Sequence, residues 1–571
     1  MHGSSGASAP ARAHPRAEFT PQLVTSLREG YGSGDLRADA LSGLTVAIVA
    51  LPLSMALAIA SGLPPENGLY AAVVGGFLIS ALGGSRYQIG GPAGAFIPLV
   101  ATCVAEHGVD GLLLATGMAG VFLAIMGALR WGSYVKFVPY PVTVGFTAGI
   151  AVVIFATQIK ELLGLTLEGP EPAHFLPKLG VLYEALPTVS FGAVMISAAT
   201  IGMILAVRRW RPGWPAFLIG VVGATLLAQV SPFEVATIGS RFGELSGGLP
   251  APRLPEISFA AMRDVLPEAL TFTLLGAIES LLSATVADAM TGRRHRSNME
   301  LAAQGAANMA AAIFGAMPVT GTIARTAANV RSGARTPVSG MLHAAFLLAM
   351  LVLAASWLAH APLAALGGVL AVVAWNMAEK HEFAALARSS GADATVLLTT
   401  FFTTVVFDLT WGILVGFSLS ALLFLNRMAD SAQVESRPLE EAAGYDAAAR
   451  SHPDLVVHRI TGAFFFGSAQ SVGTVLDRVG DPRRAVIYDV SALREVDSSA
   501  AHTLVEAALK AHRRGKRVLV AGASAATQRA LMRGGLSSTV ASYAPSVEAA
   551  AHLARSERTE EAAPAPDENL G

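Results

Sequence analysis

Charge is scarce in this chain. Asp, Glu, Lys and Arg make up 14% of its 571 residues, against roughly 25% in soluble globular domains. That excludes an ordinary water-soluble protein over most of its length. Cysteine is nearly absent. The one residue, Cys103, lies inside an apolar run, so no disulfide can form within the chain. No metal-ligand cluster, nucleophile triad or phosphate-binding loop is legible, which argues against an enzyme and a bound cofactor. The net charge of −1 carries no information about partners, and nothing points to nucleic acid. The first residues are rich in Ala, Ser and Pro. They lack the apolar core of a signal peptide, and residues 1–35 read as a disordered cytoplasmic tail.

What is present is apolar. Hydrophobic residues make up 53% of the chain, with a mean hydropathy of +0.52. A bilayer-crossing helix needs about 20 mostly apolar residues. Charge-free runs cover 40–65, 67–85, 87–105, 111–129, 137–159, 185–207 and 212–232. The second half supplies 269–290 with two acids inside, 301–317, a short 320–330 that includes Arg325, 336–358, 361–377, 394–407 and 409–426. These are fourteen candidate spans, seven on either side of a loop near Arg241. Lys and Arg gather at even-numbered boundaries: Arg86, Arg130 and Lys136, Arg208–Arg211, Arg293–Arg296, Lys380 and Arg388, and Arg427. The positive-inside rule then puts both termini in the cytoplasm of a multi-pass inner (plasma) membrane protein. The loop 160–184 would face outside.

The segment 270–325 carries the functional signal. Glu279 stands in the middle of an apolar run, and a second run is broken by Pro318 and Gly321 and closes on Arg325. A charge at the bilayer centre costs about 2.5–3.5 kcal/mol, and broken helices survive there only where protein or a cavity satisfies them. The third run opens with Gly90-Gly91-Pro92-Ala93-Gly94; the tenth, third in its own half, opens with Pro318-Val319-Thr320-Gly321-Thr322. Interrupted spans at matching places in two halves point to a transporter site. Seven spans per half make such a repeat inverted. Two half-helix N-termini facing one another cradle an anion with backbone N–H groups and dipoles. The candidate ligands are the groups at Ala93, Gly94, Ala95 and Phe96, facing those at Thr320, Gly321, Thr322, Ile323, Ala324 and Arg325, with Phe96 and Thr322 shaping selectivity. The plainer reading is that Gly and Pro are simply common in membrane helices.

After Arg427 the pattern turns soluble. Residues 429–452 read as a linker. Alternating strands and helices over 453–556 predict a small α/β domain, and the acidic tail 557–571 reads as disordered. Asp288, beside a basic run, reads as an end-of-helix ion pair, His295 as solvated, and Asp408 as a turn. Ser498 and Ser499 follow Asp497 at a helix start. They are candidate phosphorylation sites, with Ser as N-cap the plainer reading.

Pro65-Glu66-Asn67-Gly68-Leu69-Tyr70-Ala71-Ala72, continuing through Gly83-Gly84-Ser85-Arg86, resembles the early signature of the SulP family of anion transporters, with Asn67 where a Tyr is usual. The tract 487–503, with Asp497-Ser498-Ser499 after a strand, resembles that family's STAS domain, with Ala500 where a Gly is usual. The resemblance implies an all-α membrane domain over 36–428. In it, fourteen spans form a 7+7 inverted repeat, divided into core and gate domains, followed by a cytoplasmic α/β STAS domain. It also implies homodimers, a transported small anion, and a possible cytoplasmic protein partner for the STAS domain. Sulfate, bicarbonate and C4-dicarboxylate all remain open. The strings around 323–343 and 372–377 resemble the C4-dicarboxylate branch, where Glu279 would couple transport to H+. The 276–298 string resembles the bicarbonate branch, where an acid at the Glu279 position and a hydroxyl at Ser283 would hold Na+. Ile323 stands where that branch has a Thr, which weakens an ion site needing several oxygens. A non-transporting anion sensor signalling through the STAS domain is the reading from another class. A sensor needs no titrating group at bilayer depth.

Overall fold

A computed structural model describes residues 18–133, 139–169, 171–172, 174–407, 409–439, 454–478, 483–493 and 496–561. The chain divides into two units, Met1–Phe417 and Ser418–Gly571.

In the first unit the apolar runs become helices. Among the described residues, eight helices are long and apolar enough to cross a membrane: Ser33–Ala60, Gly94–Ala128, Tyr140–Leu163, Phe191–Trp210, Leu266–Thr291, Val338–Leu358, Leu363–Ala387 and Leu409–Asp430, the last running on into the second unit. Ala216–Val230 and Gly391–Val406 are shorter apolar helices. The Gly94–Ala128 helix is two segments, because Gly108 takes φ 69° and ψ −175° and breaks it. With that break, and with 65–82, Ser297–Ile313 and Ile323–Arg331 added, helices follow the fourteen apolar runs one for one. Local chemistry sets several ends. Pro65 opens its helix at the first position, where its missing N–H is not needed. Gly164 and Gly292 close theirs in the left-handed conformation.

The helices sort into two bundles. One joins 33–60, 65–82, 94–128, 266–291, 297–313, 323–331 and 338–358; the other joins 140–163, 191–210, 216–230, 363–377 and 391–406. Each draws on both halves of the sequence, so the halves are intertwined. Small residues permit close crossings. A Cβ on Gly120 would lie 2.7 Å from the Gly305 carbonyl oxygen, so 94–128 and 297–313 meet backbone to backbone.

The second unit holds a five-stranded sheet, β3 (Gln433–Pro438), β4 (Leu455–Thr461), β5 (Ala485–Asp489), β6 (Arg517–Ala521) and β7 (Ala541–Ala544), paired in that order. Only the β3–β4 pair is antiparallel. Strand alternation gives two cores. Val456, Val486, Val518 and Val520 pack with Leu504, Val505 and Leu531 on one face; Leu455, Ile487 and Leu519 pack with Val547, Ala550 and Ala551 on the other.

Three boundaries differ from the sequence expectation. Gln22–Glu29 is helical and Ser33 already begins a long helix, so residues 22–35 are not a disordered tail. The Gln22 N–H bonds to the Gly83 carbonyl at 2.9 Å, which anchors that helix. The expected linker contains β3, which pairs with β4 along its whole length. Helix Val547–Glu561 runs into the expected disordered tail. Asp408 and residues 440–453 lie outside the described residues.

Candidate functional site

Two dipeptides 230 residues apart organise the site. β1 (Gly90–Gly91) pairs antiparallel with β2 (Thr320–Gly321), Gly90 opposite Gly321 and Gly91 opposite Thr320. Side chains hold this short ladder in place. Asn308 donates to the Val319 carbonyl (2.8 Å) and accepts from its N–H (2.9 Å), which occupies the backbone just before β2. The Thr320 hydroxyl donates to the Gly276 carbonyl at 3.0 Å. Ile89 N–H donates to Thr326 Oγ1 (3.1 Å), which also accepts from Ser283 Oγ (2.9 Å).

Both strands run directly into helix starts. The 3-10 turn Gly94–Phe96 leads into Ile97, and Thr322 precedes the helix Ile323–Arg331. Neither start has a side-chain cap. The Phe96 N–H, expected at the anion, is spent on the Ala93 carbonyl at 3.1 Å; the first N–H groups of each helix, those of Gly94 and Ala95 and of Ile323 and Ala324, are left to meet a ligand. Thr322 does not cap; its hydroxyl is turned back to the Ile89 carbonyl, to which its N–H also donates, at 3.1 and 3.0 Å. Ala93, Ala95 and Phe96 are buried, and Phe96 packs edge-on against Phe272 with ring centroids 5.8 Å apart. Gly94 faces the other bundle: a Cβ there would meet Ile154 Cδ1 at 3.2 Å and Met377 Sδ at 3.3 Å. Ile323 and Ala324 are exposed at the second helix start. Their side chains offer nothing polar, so an anion there meets main chain. On the seam between the bundles lies a cavity of about 340 Å³, lined by Ala101, Val104, Gln158, Lys178, Arg241 and Leu366 among others.

The remaining predicted residues fall in distinct places. Glu279 is half-buried on the Leu266–Thr291 helix and has no hydrogen bond or ion pair among the described residues. Ser283, one turn on, spends its hydroxyl on Thr326 and is not joined to Glu279. Arg325 is 3% exposed and turns away from the open helix start. Its Nη2 donates to Ser54 Oγ at 3.1 Å, while Nε and Nη1 are buried without a partner. Gly91, at φ 154°, makes room for it, since a Cβ there would lie 2.4 Å from Nη1. Gly321 makes room for Gln88, whose Nε2 would be 1.6 Å from a Cβ and donates to Ser280 Oγ at 2.8 Å.

Asp288 lies at the helix end as expected, but it faces His295 rather than an arginine: Oδ2 accepts from the His295 backbone N–H at 3.0 Å and lies 2.7 Å from its Nδ1. His295 is therefore not simply solvated; it also contacts Ser297 Oγ at 2.9 Å. At the second unit's helix start the N-cap is Asp497, which accepts from Ala500 N–H at 2.8 Å, and not a serine. Ser498 and Ser499 are exposed beside it.

Sequence reasoning missed the supporting polar set. Glu300, fully buried, accepts from Gly84 and Ser85 N–H at 2.9 and 3.1 Å and from Gln304 Nε2 at 3.0 Å. Asn329 accepts from Ser42 Oγ (2.7 Å) and from Ser339, and donates to the Tyr87 carbonyl (2.9 Å). The available signal was polar residues at helical spacing, Glu300-Gln304-Asn308, in an otherwise apolar run.

Comparison with known proteins agrees with this architecture. The sulfate permease family profile matches residues 36–400, and the STAS domain profile matches 446–550. YvdB of Bacillus subtilis, which carries a provisional sulfate-transporter name, is 39% identical over 511 residues, covering 89% of this chain and 95% of that protein. The bicarbonate transporter BicA of Picosynechococcus is 29% identical over 526 residues, covering 87% and 90%. Among solved structures, the transmembrane domain of a cyanobacterial BicA aligns with a TM-score of 0.61 at 28% identity, over 68% of this chain and 98% of that one. The murine Slc26a9 anion transporter aligns at 0.83 and 17% identity, over 97% and 96%, a likeness of fold. The chain is thus a multi-pass membrane protein and no enzyme: it belongs to the sulfate permease (SulP) family of anion transporters and carries a C-terminal STAS domain.

Proposed function

We propose that this protein is a secondary active transporter that binds a small oxyanion between the helix starts at Gly94 and Ile323 and couples its movement to a proton carried by Glu279. The observation that carries the reading is the pair of uncapped helix starts laced together by β1 and β2. Open N–H groups and two positive dipole ends then converge where the neighbouring side chains are small or apolar. Sulfate and bicarbonate, named for relatives, and C4-dicarboxylates share the oxyanion chemistry that such donors bind. Glu279 supports proton coupling. It is a carboxyl in a spanning helix with no partner, so gaining or losing a proton breaks no hydrogen bond. Sodium fits less well, since Ile323 offers no oxygen and the Ser283 hydroxyl is already engaged. The protein works as a dimer in the inner membrane, with both termini cytoplasmic and the STAS domain serving regulation, assembly or a protein partner.

The test is labelled-anion uptake into proteoliposomes under an imposed pH gradient. The parent should accumulate sulfate, bicarbonate or a C4-dicarboxylate when the outside is acid. Glu279→Gln, a mimic of the protonated acid, should bind the same anion and lose the response to the gradient. Accumulation by the variant against a concentration gradient would remove Glu279 from coupling. Binding without uptake by the parent would favour the sensor reading.

A further inference from the structure

A second cluster lies away from the anion site, at the opposite end of the first segment of the Gly94–Ala128 helix. Glu106 and His107 end that segment, immediately before the break at Gly108. Glu268 occupies the first turn of the Leu266–Thr291 helix. His107 Nε2 lies 3.7 Å from Glu268 Oε1 and 3.9 Å from Glu106 Oε2, and the three ligand atoms are all within 4.8 Å of one another. Both distances exceed the roughly 2.7–3.2 Å of an N–H···O hydrogen bond. The imidazole thus points at two carboxylates without bonding to either. Its position is fixed from behind by the returning chain, since a Cβ on Gly111 would sit 2.4 Å from His107 Cβ. The Glu268 side chain is 19% exposed, and its Oε2 is buried with no hydrogen-bond partner.

We propose that Glu106, His107 and Glu268 form a binding site for a divalent transition-metal ion of the zinc class. One imidazole and two carboxylates are a donor set suited to Zn²⁺, and their two negative charges balance it. Tetrahedral coordination at about 2.0–2.2 Å puts ligand atoms roughly 3.3–3.5 Å apart. The two His107 spacings need to close by about half an ångström, and the two carboxylates, which lie within 4.8 Å of each other, by no more than about 1.4 Å, a movement that a side-chain rotation of the exposed Glu106 can supply. Glu106 is 55% exposed at the side chain, which leaves a route for the ion and for water to complete the shell. A bound ion would tie the end of one helix segment to the start of the helix that bears Glu279. On the Lys and Arg distribution this is the outer face of the membrane.

The experiment is a Co²⁺ and Zn²⁺ titration of the purified full-length protein in detergent, by visible absorption and calorimetry. The expected result is one saturable site per chain, with Co²⁺ bands in the range of tetrahedral N/O coordination. His107→Ala and Glu106→Gln should each weaken binding by more than about tenfold. His552→Ala, an exposed histidine in the second unit, should leave it unchanged. Glu106→Gln alters an exposed group, so its fold should be intact, as an unchanged melting temperature without metal would confirm. No saturable site in the parent, or parent-like affinity in both cluster variants, overturns the proposal. The cluster would then be a histidine set between two carboxylates with no ion to hold.

Discussion

Glu279 and Glu300 invite comparison. Both are glutamates in apolar helices of the same bundle, and only 21 residues separate them. Glu300 is fully buried, and its oxygens accept from two backbone N–H groups and the Gln304 amide, with Ser280 Oγ at 3.5 Å. Glu279 has none of these. Burial of an acid in a membrane helix therefore does not by itself mark chemistry. A carboxylate whose lone pairs are taken pins the turn at Gly84–Ser85. A carboxylate with free lone pairs can exchange a proton without disturbing the fold.

The largest expected effect comes from removing the pinned acid. Glu300→Ala strands two buried N–H groups and a buried amide, at about 3–5 kcal/mol. The thermal melt should collapse or the protein should fail to remain monodisperse. Glu279→Gln should melt within about 0.5 kcal/mol of the parent. Equal melts for the two variants would erase the contrast.

Next come two glycines. Gly321→Val drives a side chain onto Gln88 and breaks its bond to Ser280, an overpacking cost of about 1–3 kcal/mol that a melt would register. Gly94→Val meets only the flexible ends of Ile154 and Met377. It should fold and yet lose anion binding in a direct binding assay, which makes Gly94 the better probe of the site. Near-normal affinity in that variant would move the site elsewhere.

The smallest effect belongs to a surface acid. Arg86 Nη2 donates to Glu29 at 2.6 Å, and that hydrogen bond, then the Arg86 charge, holds the Glu29 carboxyl below the ordinary carboxylate range. A depressed folded value means the contribution is present above the unfolded value and fades as pH falls through the folded one. The small melting difference between Glu29→Gln and the parent should therefore begin to shrink as pH falls below the unfolded value of about 4.3, disappear once pH is under the lower folded value, and shrink also in high salt.

Much of this was legible in the sequence, for identifiable reasons. Glu279 stood out because apolar residues surround it on both sides. Glu300 did not, because the apolar run begins at Leu301 and the basic stretch before it reads as a boundary. The two interrupted spans were visible as Gly and Pro at matching places. Their pairing was not, since a two-residue ladder between positions 230 apart leaves no local periodicity. Arg325 was expected at the open helix start. Helical spacing put it across the helix from Ile323, about 200° away at 3.6 residues per turn, a direction that a nine-residue segment shows only once its neighbours are known. In the second unit, β4 to β6 were plain as runs of Val, Leu and Ile. β3 was hidden because Gln433–Pro438 alternates charged and polar residues along an edge.

The β1–β2 ladder has a mechanical consequence. Its backbone bonds, with those of Ile89 to Thr322 and of Asn308 to Val319, lie where little water could replace them. Separating the strands would expose several amides at once, each at a cost of a few kcal/mol. The two helix starts are therefore a single rigid piece. If a solute binds between them as proposed, prising the pair open is a costly way to release it, and moving both walls together past Ile154 and Met377 is the cheaper one.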